Sequence, residues 1–377
     1  MSFVNKPLTD IMDCTRASTA TYVDATGKIR TAGVNEPRID FSSGQGRLLV
    51  EEARTNLLTW SEDFSKSSWT PEFSGRVYSY DNQDITPPKE YAKITKVVIG
   101  SSGSIDRRSF RQPIPNLNGT CTQSVYIYVP SGQGFSEYGL RFVFGIADTT
   151  VSSNVFDRWH RLHLTSTVDT TSISFGLTNA EGSGVIFNSI FYVSCAQVEQ
   201  GATPSSYIPT EDSAVTRAAD NVSRVLGDEF NQEQWTWCTE FNPYKMRNPA
   251  AGISLLGLGN PALGFSSTSN VYFSYAAGSS GLSLNTPFQS TSANNLVSSV
   301  EDRVYKITIS YDGERLRSFV DGVKVNDRAV SKIEGISWLK VGSPWSTGVS
   351  NRTFDTKKLR FYPKALSDIE CEELTRI

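Results

Sequence analysis

The chain has 377 residues, enough for more than one hydrophobic core, and 36 Lys and Arg against 39 Asp and Glu leave a formal net charge of −3. Charges of both signs are intermixed and no Lys/Arg block stands out, which argues against a nucleic-acid footprint. No apolar run reaches the roughly 20 residues of a membrane-spanning helix. The N-terminal Met1-Ser2-Phe3-Val4-Asn5-Lys6-Pro7 has no cleavable leader pattern, so synthesis and folding in a cytosol are expected. Five scattered cysteines with no Cys-x-x-Cys pair predict small buried hydrophobes, with no disulfide framework and no zinc site. The abundance of Ser, Thr, Gly and aromatics, with almost no uninterrupted helical pattern, predicts an all-β protein.

Residues 1–55 are too few and too polar for a core of their own. A β-branched run and an Asp24-Ala25-Thr26-Gly27 turn predict a small hairpin within 13–29. Residues 37–41 and 47–51 predict two more short strands about Gly44-Gln45-Gly46. Residues 56–210 form the next predicted unit. In 124–129, Val125, Ile127 and Val129 alternate with Ser124, Tyr126 and Tyr128, and Pro130 ends the strand. Strands over 140–146, 159–164, 172–177 and 185–193 follow at the spacing of a sandwich.

A linker is expected over 211–231, and a second sandwich over 232–377. Residues 235–241, Trp-Thr-Trp-Cys-Thr-Glu-Phe, alternate into it. Tyr305, Ile307, Ile309 and Tyr311 share one face of a strand whose other face carries Lys306, Thr308 and Ser310. Asp312-Gly313 and Asp321-Gly322 are tight-turn signals, so strands over 315–320 and from 323 onward complete an antiparallel meander. Ser367 with Glu370 three residues on is a capping box for a short terminal helix.

Several phrases resemble known families. Tyr-Asp-Gly and Val-Asp-Gly set between strands, Leu339-Lys340-Val341-Gly342, and Leu359-Arg360-Phe361-Tyr362 before the short helix resemble the concanavalin-like, laminin-G-type lectin sandwich. Trp60-Ser61-Glu62-Asp63-Phe64-Ser65, Ser68-Trp69 and the closing phrase from Ala196 to Pro209 resemble a carbohydrate-binding-module-like jelly roll. The resemblance therefore implies two tandem antiparallel β-sandwich domains, jelly roll and concanavalin A-like. A third phrase runs from Thr15-Arg16-Ala17-Ser18-Thr19-Ala20-Thr21-Tyr22-Val23-Asp24 through Glu36-Pro37-Arg38 to Leu48-Leu49-Val50-Glu51-Glu52-Ala53-Arg54-Thr55-Asn56-Leu57-Leu58. It looks like the leader segment of tailed-bacteriophage structural proteins, especially fibres.

The last resemblance implies that residues 1–55 attach the chain to other virion proteins or to further copies of itself. Thr15, Arg16, Tyr22 and Arg38 are then the expected attachment residues. Fibres of this kind are trimers by family analogy, and location in the virion follows from the same likeness. The expected task is adhesion to host surface glycans as a tail fibre or receptor-binding subunit. A capsid decoration or head-fibre protein is an alternative, because no long triple-helical shaft or β-helix repeat is present.

A glycan depolymerase is a further alternative, which the residues disfavour. Glycan cleavage needs two carboxylates about 5 to 10 Å apart, and no Glu-x-Asp-x-Glu triplet occurs; Glu240 reads as an outward surface residue. His160 and His163, the only histidines, lie on opposite faces of a strand and cannot chelate one metal. No nucleophile elbow, phosphate-cradling loop or calcium loop is present, so no catalytic residue, metal or cofactor is expected. Sugars stack on aromatic rings while Asn and Arg take their hydroxyls. Trp345, in a Pro/Gly loop with Asn351 and Arg352 close behind, is the candidate carbohydrate contact, with loop folding or an interchain contact as its other reading. Arg107, Arg108 and Arg111 form a small basic cluster that suits an acidic polysaccharide or a subunit contact.

Overall fold

The computed structural model describes residues 11–71, 76–99, 110–133, 140–144, 147–151, 156–179, 189–228, 230–242, 253–260, 270–275, 281–285, 295–301, 303–341 and 354–377. Among these, antiparallel strands dominate, with a helix at Asp368–Thr375, so the all-β expectation holds. The chain divides into two compact units: Met1–Thr19, Ala32–Ala53 and Ala218–Ile377 in the first, Ala20–Thr31 and Arg54–Arg217 in the second.

The first unit is two seven-stranded antiparallel sheets. In one, Asp13–Thr15 lies at the edge beside Asn221–Val225 and Trp338–Val341. Ile253–Gly259, Val271–Tyr275, Leu282–Asn285 and Asn295–Val297 continue it. The other runs from Val323–Ala329 through Arg315–Val320, Tyr305–Tyr311, Trp235–Phe241 and Phe354–Tyr362 to Arg47–Val50 and Arg38–Asp40. Trp235, Trp237, Phe241, Ile307 and Ile309 of the second sheet meet Leu256, Leu258, Phe273 and Val341 of the first in one buried core. The period-two alternation read from the sequence is what aims these residues inward.

Both turn signals of the meander are realised. Asp312 Oδ1 accepts the N–H groups of Glu314 and Arg315 at 3.2 and 2.7 Å. Asp321 (φ +51°) and Gly322 (φ +85°) both sit in the left-handed region that a two-residue hairpin turn demands. The capping box is also present: Ser367 accepts from the Glu370 N–H, and the Glu370 carboxylate accepts from Ser367. Ser367→Ala is expected to cost about 1 kcal/mol of stability, measured by chemical denaturation.

The expected boundary at residue 55 needs correction. Residues 1–55 are shared between the units instead of forming a separate arm. Leu48 and Val50 are fully buried in the core of the first unit, where Arg47–Val50 and Arg38–Asp40 complete its second sheet. The hairpin Ala20–Val23 with Ile29–Ala32 is formed as expected, and Ala20–Thr31 groups with the second unit. A segment too polar for its own core still lends its few apolar side chains to a larger one.

The second unit is built on one eight-stranded antiparallel sheet. Its path is Ala147–Val151, Leu140–Phe144, Trp159–Asn179, Phe110–Tyr128, Ile190–Gln200, Thr95–Ile99 and Arg76–Ser79, with Thr70–Pro71 paired on Phe110–Tyr128. The strands expected over 159–164 and 172–177 are one continuous element, because the join Thr165-Ser166-Thr167-Val168-Asp169-Thr170-Thr171 is β-branched and holds no Gly or Pro. The strand expected at 124–129 is the end of a longer one, whose register shifts between Pro113 and Leu117. Proline supplies no ladder N–H, so an irregularity there is where Pro113 and Pro115 fit. The core packs Phe64, Trp69, Phe110, Val125, Ile127, Phe175 and Phe191 together.

The closing phrase of this unit is a buried polar clasp. Gln197 and Glu199 are fully buried. Gln197 Oε1 accepts the Ile208 N–H at 2.7 Å, and its Nε2 donates to Glu199 Oε1 at 2.6 Å. Glu199 Oε1 also accepts the Ser205 N–H at 2.9 Å, while Asn56 Nδ2 donates to the carbonyls of Ala196 and Ile208. These bonds satisfy most of the buried polar atoms of the clasp, while Glu199 Oε2 is buried with no hydrogen-bond partner. The phrase is a fastening, which explains why its residue types matter.

Candidate functional site

Trp345, Asn351 and Arg352 lie outside the described residues, as do Arg107 and Arg108. Arg111 is exposed and donates to Ser172 Oγ at 3.1 Å. Of the four expected attachment residues, Thr15 is exposed on an edge strand and accepts from Asn221 Nδ2 at 3.2 Å. Tyr22 is half-buried in the small hairpin of the second unit.

Arg16 and Arg38 are a different matter, and the expectation that they face a partner is corrected. Both guanidiniums are buried in the first unit with no side-chain exposure. Arg16 Nη1 pairs with Asp220 Oδ1 at 2.7 Å, and its other nitrogens donate to the carbonyls of Ser18, Gly33 and Glu36. Arg38 pairs with Glu51 at 2.8 Å and with Asp220 Oδ2. Asp220 Oδ2 also accepts the Glu51 N–H at 2.7 Å. Burial opposes the charge on Arg38, but Glu51 and Asp220 outweigh it and raise its pKa. Two cations and two carboxylates thus neutralise one another and bind four distant stretches of the chain. Arg16, Arg38 and Glu51 all belong to the phage-like phrase, so this part of the phrase encodes packing within the unit.

The described surface best suited to a ligand is an aromatic row on the second unit. On Phe110–Tyr128, Val125, Ile127 and Val129 go to the core, so Tyr126 and Tyr128 face the other way. Tyr128 stands directly opposite Trp159 on one neighbouring strand and Tyr192 on the other, and Tyr192 stands opposite Lys96. Directly opposed residues of an antiparallel pair share a face. Trp159, Tyr128, Tyr192 and Lys96 therefore form a line across four strands.

The Tyr128 ring meets Trp159 edge-on at 5.8 Å and Tyr192 edge-on at 5.9 Å. Tyr192 is buried, while Tyr128 and Trp159 are half-buried; Trp159 packs against the neighbouring cluster and its Nε1 donates to the Thr86 carbonyl at 2.7 Å. Lys96 Nζ lies 5.8 Å from the Tyr192 ring centre and donates to Asp84 Oδ2 at 2.7 Å; the Tyr192 hydroxyl donates to the same oxygen at 3.2 Å. The bond from Lys96 holds the Asp84 carboxyl below its ordinary range, and burial raises the phenols of Tyr128 and Tyr192. At neutral pH the line thus offers apolar ring surface, neutral hydroxyls, an ammonium and a carboxylate. The next tier, Tyr126 with Ile29, Cys195 and Tyr207, is packed shut, so the row marks where the covered part of this face ends.

The alternation in 124–129 already showed tyrosines turned away from the core. What it lacked was the pairing register that brings Trp159, Tyr192 and Lys96 alongside. His160 and His163 lie on one strand at the separation that places them on opposite faces. Four of the five cysteines are buried and all are free thiols. Burial pushes Cys238 up to about 11 and Cys371 up to about 12, so neither is a thiolate near neutral pH. Among the described residues, no group of three His, Cys, Asp or Glu could hold a metal, and no helix is long and apolar enough to cross a membrane.

No protein-family profile matches the chain, and no curated protein matches it. Solved structures with local likeness include the CBM40 module of the Ruminococcus gnavus IT-sialidase. That likeness is 16% identical with a TM-score of 0.30, and covers 38% of this chain and 84% of that one. A leech intramolecular trans-sialidase is 16% identical over 38% of this chain and 23% of its own, with a TM-score of 0.31. The botulinum neurotoxin serotype D binding domain is 8% identical over 41% and 40%, with a TM-score of 0.31. Scores near these values are too low to carry a function across.

Proposed function

We propose that this chain is a non-enzymatic adhesion protein of a tailed-bacteriophage particle, a tail-fibre or receptor-binding subunit that holds host surface glycan on the second unit. The observation that carries the reading is the line Trp159, Tyr128, Tyr192 and Lys96, with Asp84 beside it. The exposed part of half-buried Tyr128 and Trp159 suits the apolar side of a sugar, and the flanking ammonium, carboxylate and phenols suit its hydroxyls. The virion setting rests on the long phrase spanning residues 15–58. That the buried part of this phrase holds the first unit together leaves its exposed part, Thr15 included, for contact with other virion proteins. The assembly is a trimer by analogy with such fibres, and repeated weak sites then act together through avidity. Binding without turnover is supported by the absence of a Glu-x-Asp-x-Glu triplet and by the engagement of Glu240 with Lys358 at 2.8 Å.

The test is a glycan array with the purified chain, followed by Tyr128→Ala and Trp159→Ala. Each substitution is expected to weaken binding about tenfold, roughly 1.4 kcal/mol, with an unchanged circular dichroism spectrum. Host-cell adsorption should be competed by the wild-type protein and not by the double variant. Failure to compete, with labelled particles carrying the chain on the capsid, makes it a decoration protein instead. Release of reducing ends from host polysaccharide makes it an enzyme.

A further inference from the structure

The helix-bearing face of the first unit carries a small cavity that the aromatic row does not involve. It is a small, partly open recess of about 20 Å³, lined by Cys238, Glu240, Lys306, Lys358, Arg360 and Thr375 among others. Trp235, Trp237 and Phe241 point into the core, so Cys238 and Glu240 point out from the same central strand. Pairing register then dictates their company. Glu240 stands opposite Lys306 on one side and Lys358 on the other, while Cys238 stands opposite Thr308 and Arg360. Three cations thus surround one carboxylate.

That carboxylate is already engaged. Glu240 Oε1 accepts from Lys358 Nζ at 2.8 Å, and the Glu240 side chain is 13% exposed. Lys306, also in the lining, donates to the carbonyl of Arg376 at 2.7 Å. The floor is uncharged: Thr308 Oγ1 donates to Cys238 Sγ at 3.1 Å. The Thr375 hydroxyl, on the wall, donates to the Cys371 carbonyl and accepts the Gly322 N–H. The lining therefore carries two more positive than negative charges, in a recess instead of on an open strand surface. Field lines concentrate in such a recess.

We propose that this cavity is an oxyanion-binding site, taking the carboxylate or phosphate of an acidic saccharide. The guanidinium of Arg360 supplies a planar fork that matches an oxyanion, and Lys306 and Lys358 add point charges. A recess of about 20 Å³ has room for little more than one or two waters, so it admits the oxygens of one charged group and leaves the ring that bears it outside. Glu240 sets an upper limit on affinity, because its charge competes with the ligand for Lys358. The site lies wholly within the first unit, so it stands or falls independently of the row on the second.

The experiment titrates the full chain with inorganic phosphate, D-glucuronate and D-glucose by calorimetry, in low salt. Saturable binding of phosphate or glucuronate, but not glucose, is expected. Binding by glucuronate alone assigns the site to sugar carboxylates, and binding by phosphate alone assigns it to phosphoryl groups. Arg360→Met should weaken binding at least tenfold and Lys306→Met severalfold, while Glu240→Gln should tighten it severalfold. Raising the salt should weaken it further. Equal binding of glucose and glucuronate, no binding of either anion, or indifference to both Arg360→Met and Glu240→Gln would overturn the assignment. Melting curves of the variants separate lost binding from lost folding, and Glu240→Gln, predicted to gain affinity, is immune to that ambiguity.

Discussion

Asp220→Ala is expected to destabilise the first unit by about 3–5 kcal/mol, the range for breaking one partner out of a buried ion pair. Asp220 is the hub: its two carboxylate oxygens receive Arg16, Arg38 and the Glu51 N–H. Without it, two guanidiniums with no side-chain exposure face one remaining carboxylate, Glu51. A charge left uncompensated in the interior costs far more than the same charge at the surface. Folded domains are stable by about 5–15 kcal/mol, so the variant is expected to sit near the edge of folding. Urea denaturation should show a lowered midpoint for the first unit with little change for the second. A loss under about 1 kcal/mol would mean that water reaches these groups and that Arg16 and Arg38 are available to a partner after all.

The second large effect is expected at Trp237. Its side chain is fully buried, stacks nearly parallel on Phe361 at 6.0 Å and tilts onto Phe273 at 5.1 Å. Trp237→Ala should therefore cost about 3–5 kcal/mol, through lost burial and the cavity left behind. Trp237→Phe should cost much less, under about 1.5 kcal/mol. The indole Nε1 has no hydrogen-bond partner, so phenylalanine removes a buried donor that forms no bond. Trp235 Nε1 and Thr239 Oγ1, on the same strand, are unpartnered in the same way. If Trp237→Phe loses 3 kcal/mol or more, the indole must bond to an internal water, and a high-resolution crystal structure would reveal it.

How much of this was legible beforehand varies element by element. The meander from Tyr305 to Ala329 was readable to within a residue, because its alternation, its Asp-Gly turns and its hairpin pairing are all local. The capping box at Ser367 was equally local. The fusion of 159–164 and 172–177 into one strand was not, since a polar β-branched join reads like a loop until neighbours supply its ladder. Arg16 and Arg38 misled for a related reason. A charged side chain in a strand phrase reads as surface, and only partners as distant as Asp220 make its burial tolerable.

Short-range order thus belongs to the amino-acid sequence: an all-β chain, inward-facing Trp235 and Trp237, the turns at Asp312 and Asp321, and thiols without thiolate chemistry. These follow from side-chain periodicity, backbone freedom and solubility, which each residue carries with it. Tertiary structure alone decided that residues 1–55 are divided between two units, that four buried charges meet around Asp220, and that Trp159, Tyr128, Tyr192 and Lys96 stand in line. Those features depend on strand register and on pairs far apart in the chain. A shift of one residue in register would send every side chain to the opposite face.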